Sequence, residues 1–259
     1  MTTIATRSRL LLIAALMAVL VGAALMASST QAYAATYNLP LNKTKTVTSA
    51  SNTATNYYKI KVPARGYLTL TMKIKDQYRT YGYWSIWICN GKKKSLQGKK
   101  ARNYFEGDGA GDARAIGVKK GTYYLKVKNS SVYSYSIKVT ETKVKGKGAA
   151  KKAKAKNLKR KKAFKGVVAS GEKAQWFKIK NGKARILHVK FGGKTYAGGN
   201  YGGLKVRVYY KGHKLGSGTV NSSYHTAKLE SFQKEPKGTY LVKVSGYSTG
   251  SGFYTLKWW

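Results

Sequence analysis

Cysteine, histidine and acidic residues are all scarce in this sequence, and each scarcity removes a class of explanation. Cys89 is the only cysteine in 259 residues, so no disulfide forms within the chain and the fold must rest on a hydrophobic core. It lies in WSIWICN, a strand-like stretch that places the thiol in the core rather than at a dimer contact. The three histidines, His188, His213 and His225, all fall in the second half and share no metal-ligand spacing. No histidine stands in the half that holds Cys89 to serve as its base. No G-x-S-x-G elbow occurs. GGKTY at 192–196 is no phosphate loop, because His188 stands where the first glycine is required. These absences argue against an enzyme. No segment after the N-terminal region repeats its apolar residues at the 3.6 period of a helix.

Carboxylates number 8 against 50 Lys and Arg, a formal charge of +42. Such a charge attracts polyanions and aids solubility, but says nothing about fold. The one long apolar run, Leu10 to Ala27, follows Arg7 and Arg9 and leads into Ala32-Tyr33-Ala34. This is the pattern of an export signal, and predicts a signal peptide over 1–34. An uncut N-terminal anchor is the alternative. No second long apolar segment exists, so no membrane span is expected once the signal is removed. Removal takes Arg7 and Arg9, the only charged residues of 1–34, and leaves +40.

The rest of the chain alternates apolar and polar residues with period two, the mark of half-buried strands. Leu68, Leu70, Met72 and Ile74 alternate with Thr69, Thr71 and Lys73; Val206, Val208 and Tyr210 with Lys205, Arg207 and Tyr209. The alternation also recurs as a duplication. NYYKIKVPARGYLTLTMKI (56–74) parallels AQWFKIKNGKARILHVKF (174–191), and KGTYYLKV (120–127) parallels KGTYLVKV (237–244). YWSIWICNGKKKSL (83–96) parallels LKVRVYYKGHKL (204–215), and the offsets stay between about 117 and 121 residues. The expected fold is all-β: two tandem antiparallel jelly-roll-like β-sandwiches over 35–142 and 163–259.

KGTYYLKV followed by YSIKV, and KGTYLVKV followed by FYTLKW, resemble the end of the bacterial pre-peptidase C-terminal domain. That domain is a jelly-roll-like β-sandwich related to bacterial collagen-binding domains. The resemblance covers most of 37–142 and 157–259 and implies two copies of a non-catalytic targeting or folding module. Some members bind calcium. The middle strands here, YWSIWIC and LKVRVYY, hold no carboxylate, so the resemblance carries no calcium site over to them.

Between the two halves lies KVKGKGAAKKAKAKNLKRKK, residues 143–162, with eleven cations and no acid. Its low content of large apolar residues and its self-repulsion predict a flexible, extended linker. The same cations, Lys143, Lys145, Lys147, Lys151, Lys152, Lys154, Lys156, Lys159, Arg160, Lys161 and Lys162, are the candidate polyanion-binding residues. Expected partners are an anionic cell-wall polymer or an acidic polysaccharide, with nucleic acid only as a non-specific polyanion. The alternative function is a surface adhesin or structural protein that binds a protein or glycan through its loops. Secretion or cell-wall association follows from the signal.

Aromatic residues supply a second candidate surface. Tyr78, Tyr81, Tyr83 and Trp87 crowd one region and Tyr196 and Tyr201 another, beside cations, where rings can stack on sugars. Trp87, Tyr124 and Tyr209 fall on the outer register of their strands. One acidic cluster, Glu106, Asp108 and Asp112 in FEGDGAGD, has oxygen ligands spaced along a glycine-rich loop as calcium requires. A solvated turn is the alternative, and no other cofactor is implied.

Overall fold

The computed structural model describes residues 34–48, 55–74, 84–96, 114–129, 134–195, 202–221, 223–248 and 250–259. The described chain is nearly all β, with one short 3-10 turn at Lys152–Lys154.

The first half contributes β1 (Thr36–Asn38), β2 (Thr44–Val47), β3 (Thr55–Val62), β4 (Gly66–Ile74), β5 (Trp84–Cys89), β6 (Arg114–Val118), β7 (Gly121–Asn129) and β8 (Tyr135–Lys143). They form two sheets, β1-β3-β7-β5 and β2-β8-β4-β6. The second half contributes β9 (Lys156–Asn157), β10 (Phe164–Val168), β11 (Gln175–Asn181), β12 (His188–Thr195), β13 (Gly202–Tyr210) and β14 (His213–Val220). It continues with β15 (Thr226–Glu230), β16 (Gly238–Ser248) and β17 (Gly252–Trp258). Its sheets run β9-β11-β16-β13-β14 and β10-β17-β12-β15. With β14 set aside as an extra edge strand, the two halves have the same strand order. Both even begin with a short parallel edge strand, β1 on β3 and β9 on β11.

The equivalence reaches individual hydrogen bonds. Leu39 donates its backbone N–H to the carbonyl of Lys59, and Leu158, 119 residues later, donates to Lys178, each at 2.9 Å. Asn42 donates to Val139 at 2.8 Å, and Lys161 to Trp258 at 2.7 Å. Asn42 and Lys161 both take the left-handed conformation, at φ 65° and 60°. Asparagine tolerates that region; lysine seldom does, and the surrounding turn holds it there.

Each sandwich encloses its own apolar core. Tyr58, Ile60, Leu70, Leu125, Ile137 and Val139 lie at the centre of the first. Phe177, Ile179, Phe191, Val206, Val242 and Leu256 lie at the centre of the second. These are the alternating positions of their strands, and burying them is the main driving force of the fold. Tyr58 and Tyr135 share a buried hydroxyl–hydroxyl hydrogen bond of 2.6 Å. The equivalent pair in the second core, Phe177 and Tyr254, meets edge to face at 6.4 Å, and the Tyr254 hydroxyl turns to Gln175 Oε1 at 2.6 Å instead.

The two sandwiches pack directly against each other through β4 and β6 of the first and β10, β12 and β17 of the second. Ser170 donates its backbone N–H to the Gly117 carbonyl at 2.9 Å, and Gly117 donates to Ser251 Oγ at 3.3 Å. A Cβ at Gly117 would lie 2.0 Å from the Val168 carbonyl oxygen, so only glycine permits this approach. Tyr67 and Phe253 add an aromatic contact at 5.4 Å.

The stretch 143–162 differs from the expected flexible linker. It is ordered along the second sandwich, and β9 lies inside it, so strand pairing of that sandwich begins before residue 163. The reason is physical. A parallel edge strand needs only backbone partners, whatever its side chains, and the run supplies two small apolar anchors, Ala155 and Leu158, each 6% exposed.

Candidate functional site

The lysine-rich run is fastened along its length. Val144 donates its N–H to the Arg65 carbonyl at 3.0 Å. Gly148 donates to Gln175 Oε1 at 2.8 Å. It passes so close to the Phe177 ring that a Cβ there would sit 2.6 Å from it. Ala149 exchanges two backbone bonds with Trp176, at 3.1 and 2.7 Å. The Trp258 indole N–H donates to the Leu158 carbonyl at 3.0 Å. With Gly148, Ala155 and Leu158 buried against the sandwich, all eleven cations are left exposed. None has a carboxylate within ion-pair distance among the described residues. The result is a fixed, unneutralised row of positive charge rather than a mobile one.

Two sheet faces carry a second arrangement of cations and rings. On the outer face of β1-β3-β7-β5, the register sets Tyr57, Lys126 and Trp87 side by side across three strands. The Lys126 ammonium lies 4.9 Å from the Trp87 ring centre and 5.9 Å from that of Tyr57. Lys93 lies over Tyr57 at 4.5 Å and over Tyr124 at 5.5 Å. On the outer face of β9-β11-β16-β13-β14, the register sets Trp176, Lys243 and Arg207 side by side. The Lys243 ammonium lies 5.4 Å from the Trp176 ring centre, and Trp176 packs on Tyr209 at 6.0 Å. Such contacts hold ring and cation together at the surface. Trp87, Tyr124 and Tyr209 are half-buried on their outer faces.

Of the other residues singled out from the sequence, Tyr78, Tyr81, Tyr83, Tyr196, Tyr201, Glu106, Asp108 and Asp112 lie outside the described residues. Among the described residues no group of three or more His, Cys, Asp and Glu is placed to hold a metal. No described helix is long and apolar enough to cross a membrane. His188 stacks flat on Trp259 at 5.3 Å and lies 3.4 Å from Glu230; His213 and His225 are exposed. Cys89 is buried, and burial pushes its thiol up to about 11 against a smaller opposing pull from Lys126. A cavity of about 240 Å³ between β14 and β15 is lined by Leu187, Val208, Leu229 and Phe232 with Glu230 and Glu235. Among the described residues no histidine, cysteine or lysine lines it.

Sequence reasoning missed β9 and the repeated row of ring and lysine. NLPLNK at 38–43 and NLKRKK at 157–162 keep the common offset of 119 residues and carried the first. Tyr57 against Trp176, and Lys126 against Lys243, carried the second.

No protein-family model matches the chain, and no curated protein matches it either. Among solved structures it is similar to the pre-peptidase C-terminal domain of a collagenase from Bacillus anthracis, at 15% identity and a TM-score of 0.32. That match covers 40% of this chain and 93% of the other. It is also similar to the CUB1-EGF-CUB2 domains of rat MASP-1, at 9% identity and a TM-score of 0.23, covering 86% of this chain and 99% of that one. A β-glucosidase from Paenibacillus barengoltzii matches at 17% identity and a TM-score of 0.21, over 43% of this chain and 12% of the enzyme. Scores of this size establish neither a shared fold nor a shared function. The all-β architecture rests on the chain's own strand pairing.

Proposed function

We propose that the chain is an exported, non-catalytic module that binds anionic polymers of the cell wall or extracellular matrix. One observation carries this reading: the eleven cations of 143–162 are all exposed and all free of described carboxylate partners, on a backbone tied to a folded sandwich. Fixed charges lose less conformational freedom on binding than mobile ones, and each contact with the polymer releases counterions. The pre-peptidase C-terminal resemblance of the sequence agrees with a non-catalytic module, and the N-terminal apolar segment agrees with export and with a secreted or wall-associated location.

The test is retention of the purified protein on Gram-positive cell walls across a salt series, before and after removal of the anionic polymers. Retention that falls steeply with salt and disappears on stripping supports the reading. Retention that survives both treatments replaces it with an adhesin acting through other surfaces, and no retention at all removes it.

A further inference from the structure

Resting on that reading, we propose that each sandwich carries one equivalent site for an acidic glycan, a polymer of carboxylate-bearing pyranose rings. The sites are the outer rows Tyr57–Lys126–Trp87 and Trp176–Lys243–Arg207. Both rows cross the same three strands of the duplicated topology. In both, the lysine of the central strand lies over the aromatic ring of the same neighbouring strand, Lys126 over Tyr57 at 5.9 Å and Lys243 over Trp176 at 5.4 Å. The halves have otherwise diverged: the core pair Tyr58 and Tyr135 in one is Phe177 and Tyr254 in the other. A core explains why the apolar positions persist. Nothing in the core requires a ring and a lysine together on the outside.

The chemistry of the rows selects the ligand. A row across three strands spans roughly 10 Å, the scale of a disaccharide. The described carboxylates, Glu141, Glu172, Glu230 and Glu235, all lie off these two sheets, and none of them forms an ion pair with a cation of either row. Flat rings beside them favour a ligand with an apolar ring face over a linear polyphosphate or polyol phosphate, which offers charge but no such face. Except for Arg207, the cations of the two faces are lysines, among them Lys59, Lys61, Lys93, Lys126 and Lys128 on one and Lys178, Lys180, Lys205 and Lys243 on the other. Nucleic-acid surfaces draw on arginine for its planar, bidentate grip on phosphate. Point-like ammonium groups suit carboxylates spread along a sugar chain. Both faces belong to the sheets turned away from the contact between the sandwiches, which is made by the other two.

The experiment is calorimetry and tryptophan fluorescence on the full chain with a short oligogalacturonate. Polyphosphate, single-stranded oligo-dT and the methyl-esterified, uncharged oligogalacturonate serve as comparison probes at the same ionic strength. Two oligogalacturonates bind per chain with a shift of tryptophan emission, counted apart from binding on the lysine run, whose residues include no tryptophan, and each charged comparison probe binds these two sites at least tenfold more weakly per charge. Lys126→Gln and Lys243→Gln, exposed-face changes that leave the melting temperature in place, each reduce the stoichiometry to one. Trp176→Ala weakens the second site about tenfold or more, as loss of a stacking ring does. A single oligomer per chain, equal or tighter binding of polyphosphate or oligo-dT, or lysine variants that leave the stoichiometry at two would overturn the proposal. Those outcomes leave salt-sensitive wall binding intact. Failure of the underlying reading instead shows as loss of binding to every polyanion.

Discussion

Arg65 of the first sandwich and Glu172 of the second form an ion pair at 2.6 Å, with side chains only 18% and 12% exposed. The pair is the hub of a junction. Arg65 also donates to the Val167 carbonyl. Glu172 Oε2 accepts from the Ala169 N–H at 2.9 Å and from Gln175 Nε2 at 3.3 Å. Gln175 accepts in turn from Gly148 and Tyr254. One network thus reaches the first sandwich, the lysine-rich run and the second core.

Removing one member leaves a mostly buried charge without its partner. Arg65→Ala is expected to cost about 3 kcal/mol and to separate the melting of the two sandwiches into two transitions. Differential scanning calorimetry reads both effects. A single, unshifted transition would show that the pair does not couple them.

The lysine run should resist trypsin despite its eleven exposed cleavage sites. A protease needs an extended, released backbone, and this one is bonded to its sandwich at Ala149, Leu158 and Lys161. Leu158→Ala removes the buried anchor at a cost of about 2–3 kcal/mol. Cleavage between 143 and 162 should then accelerate at least tenfold in limited proteolysis. Equal rates for both proteins would contradict the anchoring role.

Polymer binding through the run has a quantitative signature. Replacing Lys151, Lys152 and Lys154 with glutamine should flatten the log–log salt dependence by about 2, at roughly 0.7 per contact with a flexible single-stranded polyanion. Retention measured between about 50 and 200 mM salt checks it. An unchanged slope would place the contacts elsewhere.

Alkali should weaken the fold. Burial raises the Cys89 thiol from its ordinary 9.0 to about 11 and, with the neighbouring Glu235 charge, the Tyr240 hydroxyl from 10.0 to about 12. Tyr58, Tyr135 and Tyr254 move the same way, with burial as the leading cause. The folded state therefore holds these protons more tightly than the unfolded chain does. The associated stability is complete below pH 9 and is lost as pH rises through the folded values. Cys89 alone accounts for roughly 2–3 kcal/mol between pH 9 and 11. Urea midpoints measured from pH 8 to 11 should fall, and should fall less in Cys89→Ala. A flat profile would contradict the burial of these groups. The same thiol should stay unmodified by alkylating reagents at pH 7 until the protein is unfolded.

Much of this was legible in the chain itself. Alternation in GYLTLTMKI and GGLKVRVYY set the strands and their inward faces, because a period of two sorts side chains between core and solvent. The offset shared by KGTYYLKV and KGTYLVKV determined the duplication. The excess of lysine determined the surface charge. The tertiary structure decided what local pattern does not encode. It docked the two sandwiches through Arg65, Glu172 and Gly117, and it fixed the run by laying β9 along β11. It also brought Lys126 over Trp87 and Lys243 over Trp176. Each of these joins residues on different strands, and several depend on backbone groups that are the same in every residue. Composition could give 143–162 its charge, but only the neighbouring strand and the burial of Leu158 could give it a place.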